Sequence, residues 1–267
     1  MYKRQKQTEL IPPQLSDKDA VRRIYALYRK RLLDNNRSWI QRLEPKLLEY
    51  FANGNDVIPK QIDPVLIPVK TTFERKLFTY ASLMWSVPPS VGYGRRMRYL
   101  VIDRSNGKLI GILGLCDPVL GLKARDEWIG WTKEQRLERL WHVMDAYVLG
   151  AVPPYSFLLG GKLVAMLATS NEVRRDFVMR YADRPAVISG KVREPHLVLL
   201  TTTSALGRSS MLNRLKFKDR KLWQPIGWTQ GQGHFHLTNG IFDDMLDYLK
   251  EIGDPLAYKY KFGGGPN

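Results

Sequence analysis

Cysteine, acidic residues and long apolar runs are all scarce in this sequence, and each scarcity excludes something. A single cysteine, Cys116, stands among 267 residues. It cannot form an internal disulfide and fits a reducing compartment. No apolar run approaches the roughly 20 residues that a bilayer-spanning helix needs. The basic start MYKRQKQTEL is not followed by the apolar stretch of a signal peptide. The expected location is therefore the cytoplasm, with no membrane partner. Acids number 26 against 42 Lys and Arg, a formal charge of +16 and a pI near 9.9. Such a surplus favours a polyanionic partner, and nucleic acid is the preferred one, DNA above all. With 44% hydrophobic and 25% charged residues, the chain has the composition of a folding protein.

What is present divides into two textures. Residues 1–90 read as a basic helical region. One helix is predicted through DKDAVRRIYALYRKRLL and a second through SWIQRLEPKLLEYFA. The proline-broken stretch FANGNDVIPKQIDPVLIPVK follows, then a third helix, TFERKLFTYASLMWS, which stops before VPPS. From residue 91 to 255 the pattern is mixed α/β. MRYLVID and KLIGILGLCDP read as a hairpin across RSNG. A loop, ARDEWIGW, precedes a helix that starts at Lys133 with Thr132 as its cap. Next come a strand in DAYVLGAVPP, one long helix from Ser156 to Tyr181, and a strand in HLVLLTTTS. A helix in RSSMLNRLKF, strands in WQPIGWT and HFHLT, and a last helix complete the order. Residues 256–267 form a loose tail. The order resembles that of the GNAT-type N-acetyltransferases. The expected fold is thus a mostly antiparallel α/β sheet flanked by helices.

The stretch TTTSALGRSSMLNRL, Thr201 to Leu215, raises the sharpest chemical question. A buried strand opens into hydroxyls, a glycine and cations. Gly207 supplies a turn conformation, and Ser209 and Ser210 fall where a helix begins with free N–H groups. Arg208, Arg214 and Lys216 stand beside them, with Lys218, Arg220 and Lys221 following. A serine-capped turn with an exposed basic flank would use these residues blandly. A phosphate cradle uses the same hydroxyls, amides and guanidinium forks, and the net charge favours it.

RYLVIDRSNGKLIGILGLCDPVLGLKARDEWIGW, VPPYSFLLGGKLVAML, TTTSALGRSSMLNRLKF and PIGWTQGQGHFH together resemble the DruA family, over about Gly92 to His236. That family includes a component of the Druantia anti-phage defence systems, and other members lie near mobile elements. The resemblance implies a protein acting on nucleic acid in defence or mobility, alongside helicase or nuclease subunits. A weaker, architectural similarity points to Mom-type DNA-base-modifying transferases.

Against the acetyltransferase pattern, the stretch Ser156-Phe157-Leu158-Leu159-Gly160-Gly161 is incomplete. Gly161 fits the last glycine position, but Ser156 and Leu159 replace the basic or amide residue and the first glycine. Acetyl-CoA is therefore disfavoured, and Gly160 and Gly161 read as room for helix packing. Arg125, Asp126, Trp128 and Trp131 combine an ion pair with two indoles, which could hold a phosphate and stack a base or, equally, tether the loop and fill the core. Arg95 lies in the basic segment GYGRRMR, which is expected to touch a phosphate. A catalytic set is read in Asp117 at a strand end and in His142 with Asp145, placed at helical spacing as base and carboxylate. His234 and His236 would share a strand face, but spacing fixes no third metal ligand. An enzymatic function is open on these residues. If there is one, group transfer to DNA leads and a metal-dependent nuclease follows; an adaptor subunit of a defence complex is the non-enzymatic alternative.

Overall fold

The computed structural model describes residues 18–185, 190, 192–204, 206, 207, 209–229 and 247–254. Its centre is the predicted hairpin. Strand β2 (Arg96–Asp103) and strand β3 (Lys108–Cys116) pair antiparallel through a turn closed by Gly107, at φ +72°. Asp103, at the turn's base, is fully buried. It accepts from the amides of Asp63 and Ser105 and from the Tyr155 hydroxyl. Burial pushes its carboxyl up, but these hydrogen bonds outweigh that and hold it below the ordinary range.

Strand β4 (Val143–Ala151) pairs antiparallel with β3, and strand β5 (Leu199–Thr201) joins β4 in parallel. On the far side, strand β1 (Pro64–Pro68) pairs with β2 and completes the order β1-β2-β3-β4-β5. β1 lies in the stretch read as proline-broken coil. Its two prolines terminate an edge strand, where a missing N–H leaves no ladder bond unmade.

Alternation along the strands divides the core between two faces. Leu100, Leu109, Ile112 and Val148 pack on one face against Trp39 and Leu47 of helix α1 (Lys18–Leu48) and Leu77, Phe78 and Ala81 of helix α2 (Thr72–Leu83). Met97, Tyr99, Ile110, Leu113, Met144 and Ala146 face the other way. They meet Val164 and Ala165 of helix α5 (Gly160–Leu167) and Phe177 and Tyr181 of helix α6 (Asn171–Tyr181). Helix α3 (Lys123–Ile129) and helix α4 (Lys133–Arg139) lie between β3 and β4. The mixed, mostly antiparallel α/β class is as expected.

Several boundaries differ. The first two predicted helices are one, α1, because Asn36 braces the join: its Nδ2 donates to Leu32 O and its Oδ1 accepts from Trp39 Nε1, both at 2.7 Å. The long helix predicted from Ser156 is a 3-10 turn (Tyr155–Leu158) followed by α5 and α6. It breaks at Thr169 and Ser170, where the Thr169 hydroxyl turns back onto Met166 O. ARDEWIG is helical rather than looped and ends on Gly130 at φ +79°, a left-handed cap. Residues 223–229 form no strand. The predictions for HFHLT and for the last helix before residue 247 lie outside the described residues.

Candidate functional site

The hydroxyl-rich turn is partly structural. Thr201 Oγ1 donates to Asp145 Oδ1 at 2.7 Å and Thr202 Oγ1 to Ala146 O at 2.8 Å. Two of the three threonines thus stitch β5 to β4. Gly207 sits at φ +69°, as the turn reading requires. Ser209 caps helix α7 (Ser210–Asn213) without a side-chain bond, and four helical residues are too few to build a helix-end anion site. Arg208 lies outside the described residues.

Beyond α7, the expected helix gives way to a hairpin, β6 (Lys216–Phe217) with β7 (Arg220–Lys221). Leu212, Leu215 and Trp223 anchor its base in the core, and Leu222 N bonds Leu215 O at 3.1 Å. This anchoring leaves Arg214, Lys216, Phe217, Lys218, Asp219, Arg220 and Lys221 all exposed. Five cations stand there against one acid, and Lys218 Nζ lies 5.9 Å from the Phe217 ring centre. The structure displays Lys216, Lys218, Arg220 and Lys221 on a two-stranded ribbon, with Arg214 at the end of α7.

The other predicted phosphate contacts separate. Arg95 is turned inward: Nε donates to Asp117 Oδ1 at 2.7 Å and Nη1 to Trp141 O at 2.8 Å, and the guanidinium stacks 4.3 Å from the Trp141 ring centre. Asp117 also accepts from Arg95 N at 2.8 Å, so both its oxygens are committed to this clamp. Arg125 is 0% exposed. It donates to Asp126 Oδ1 and to the carbonyls of Val119 and Leu120, while Arg136 reaches the other Asp126 oxygen at 3.1 Å. Burial raises the Asp126 carboxyl, and the bonds from Arg125 and Arg136 bring it below its usual range. Trp131 packs beside Arg125 at 5.9 Å, while Trp128 on α3 is 56% exposed. Arg95 and Arg125 therefore serve the fold, and a buried guanidinium with its donors engaged offers nothing to a phosphate.

The catalytic candidates also separate. His142 ends a short 3-10 turn and Asp145 lies within β4, so the helical spacing assumed for them does not exist. His142 Nδ1 lies 3.1 Å from His196 O instead, and the two rings stack at 6.2 Å. Asp145 is opposite Cys116 on one side and Thr201 on the other. Burial pushes its carboxyl up to about 6, against the opposing effects of the Thr201 hydroxyl and the Arg125 charge. Burial likewise pushes the Cys116 thiol up to about 11. At the start of α5, a Cβ on Gly160 would fall 2.6 Å from Tyr155 O and one on Gly161 2.7 Å from Met211 Sδ. Both glycines make room for packing; Ser156 donates its backbone N–H to Val152 O. His234 and His236 lie outside the described residues, among which no metal-binding cluster occurs.

One constellation was missed. Arg75 of α2, Arg96 and Arg98 of β2 and Arg180 of α6 line a hollow of about 180 Å³ with Val69. The alternation RxR at Arg96 and Arg98 was legible, since residues two apart share a strand face. Arg75 and Arg180 come from distant helices and gave no local signal. A wider groove, about 670 Å³, runs between Leu66 and Pro68 of β1 and residues 172–179 of α6.

Fold and surface together define a strongly basic, mixed α/β protein with cations displayed on a ribbon and gathered in a hollow. The family model described as Druantia protein DruA matches residues 16–267. The chain belongs to the DruA family. It is 47% identical over 251 residues to Druantia protein DruA of Escherichia coli (strain UMEA 4076-1), across 94% of this chain and 62% of that relative's length. No solved structure matches. Among the described residues, no helix is long and apolar enough to cross a membrane.

Proposed function

We propose that this chain is a DNA-binding component of an anti-phage defence system, gripping phosphates through the β6–β7 ribbon. The observation that carries the reading is the ribbon itself: four exposed cations and an exposed Phe217 against one acid, with exposed Arg214 beside them, on a base anchored in the core. A two-stranded ribbon fits the major groove, and phosphate contacts supply affinity independent of sequence. The family name supports a defence role, in which helicase or nuclease subunits are the proposed partners and the cytoplasm the location. The antiparallel strands followed by a parallel β5, with α5 between β4 and β5, support an acetyltransferase-like ancestry for the sheet.

The test is duplex binding across a salt series. Affinity should fall steeply with salt. Replacing Lys216, Lys218, Arg220 and Lys221 with Ala should flatten the log–log slope by about 0.9 for each phosphate that is no longer neutralised. A slope unchanged by the quadruple variant removes the ribbon as the site, and absence of low-salt binding removes the reading.

A second reading, group transfer to a DNA base, is favoured by Asp145, a half-buried carboxyl raised to about 6 by desolvation and bonded to Thr201. Such a group exchanges protons near neutrality. Nucleoside mass spectrometry of DNA from cells carrying the defence system should then show a modified base that an Asp145→Asn variant abolishes. Four unmodified masses in both cells reject it.

A further inference from the structure

The hollow of Arg75, Arg96, Arg98 and Arg180 is assembled by the sheet's own geometry. β1 ends opposite Tyr99, with Val69 N bonded to Arg98 O at 2.8 Å, so the first residues of β2 lie at the sheet edge. There α2 from one face and α6 from the other bring their arginines to the same edge. Arg98 is placed by a device spanning three strands. Its partner on β3 is Gly114, whose missing side chain leaves room for the Tyr147 ring. A Cβ there would lie 2.8 Å from that ring. Tyr147 then reaches across to accept from Arg98 Nε at 2.9 Å.

Three of the four arginines are fixed by part of their donor sets. Arg75 donates to Lys70 O and Thr72 Oγ1, and Arg96 Nη2 donates to Gly92 O. Arg98 stacks on Phe78 at 5.5 Å. Among the described residues none of the four forms an ion pair, and no carboxylate lines the hollow. Arg96 Nε is buried and has no partner. Four guanidiniums converging without an acid repel one another, and a buried N–H without an acceptor carries its full desolvation cost. Both penalties are relieved by one compact anion.

We propose that this hollow binds a phosphomonoester: the terminal phosphate of a nucleotide or of a nucleic-acid strand. A phosphodiester carries one charge and continues in two directions, so it suits an open surface such as the exposed ribbon. A phosphomonoester carries about −1.5 to −2 and three strong acceptor oxygens at pH 7. That matches a small concavity with four fork-shaped donors. The site is separate from the β6–β7 ribbon and goes beyond the duplex contact assigned to it.

Calorimetric titration tests it with a nucleoside 5′-monophosphate against the nucleoside, and a short single strand with a 5′-phosphate against the same strand with a 5′-hydroxyl. The phosphorylated member of at least one pair should bind about tenfold tighter or better. The preference should vanish in the Arg75→Gln/Arg180→Gln variant, whose two positions are exposed, and survive in the ribbon variant. Circular dichroism checks that both variants are folded. Preference confined to the strand identifies a strand end as the ligand, and equal preference in both pairs identifies the nucleotide unit. Equal binding of both strands with no uptake of the monophosphate overturns the proposal. Strand binding that falls in the arginine variant without any 5′-phosphate preference also overturns it, by making the hollow a phosphodiester contact, and leaves the DNA-binding reading standing.

Discussion

The segment from Arg95 to Trp141 and the ribbon with its flank from Arg214 to Lys221 both offered cations as phosphate contacts in the sequence, yet the fold uses those cations in opposite ways. In the first, Arg95 and Arg125 are drawn inward and answered by Asp117 and Asp126 at 2.7–2.8 Å. In the second, every cation faces solvent and Asp219 is the one acid among them. The difference lies in neighbours. An arginine beside an acid and an indole can be buried, because carboxylate, carbonyls and ring replace its hydration. A run of Lys and Arg with one acid cannot be neutralised within the chain and remains outside, available to an external anion.

The largest effect expected from this contrast is in Arg125. Replacement by Met removes a fully buried cation and leaves Asp126 with the partly exposed Arg136 as its remaining ion-pair partner. Breaking a buried pair in this way costs about 3–5 kcal/mol, so urea unfolding should show a large fall in midpoint. The double change Arg125→Met/Asp126→Leu should recover part of it. A midpoint unchanged by Arg125→Met would mean that the inward network is no more structural than the ribbon.

Asp145 tests the same boundary from the acid side. Its folded-state carboxyl is raised from 3.8 to about 6, so the protonated form is the better fit to the fold. The stabilising contribution is complete below the unfolded value and is lost as pH rises through about 6. Asp145→Asn stays neutral throughout and can keep the bond from Thr201. Relative to wild type, the variant should therefore gain on the order of 2–3 kcal/mol in unfolding free energy between pH 3.5 and pH 7. A stability difference that is flat with pH would place the charge in solvent.

The hairpin of β2 and β3 was legible because its short apolar runs and the Asn-Gly-type turn between them are local signals, and Thr132 as the cap of α4 was legible for the same reason. The strand Pro64–Pro68 was not. Two prolines in five residues argue against a strand unless its free edge is known, and only tertiary structure supplies that edge. Site legibility followed the same division. The cations at 214–221 were adjacent in sequence and were found, though as a helical flank rather than a ribbon. Asp117 and Trp141 come to Arg95 only in the fold, so the sequence offered it as a phosphate contact. Asp126 adjoins Arg125 in sequence, so a tether and a phosphate contact were both legible there, and burial decides for the tether. The hollow needed two helices from opposite faces, Arg75 and Arg180, meeting Arg96 and Arg98 at an edge that existed in no local pattern.

The smallest effect completes the comparison by changing burial alone. Arg104 Nη2 lies 2.9 Å from Asp63 Oδ1, a separation close to that of Arg125 and Asp126, but both partners are more than half exposed. In water the two side chains exchange good hydration for each other while losing rotamer freedom, and salt screens what remains. The backbone bonds at this corner do not depend on the guanidinium, since Arg104 N still reaches Asp63 O and Asp63 N still reaches Asp103. Arg104→Ala should therefore leave the urea midpoint within the scatter of replicate measurements, at low salt and at high salt. A clear loss at low salt that disappears at high salt would show that this exposed pair stabilises the fold through its charge, and distance rather than burial would then have to explain why Arg125 matters.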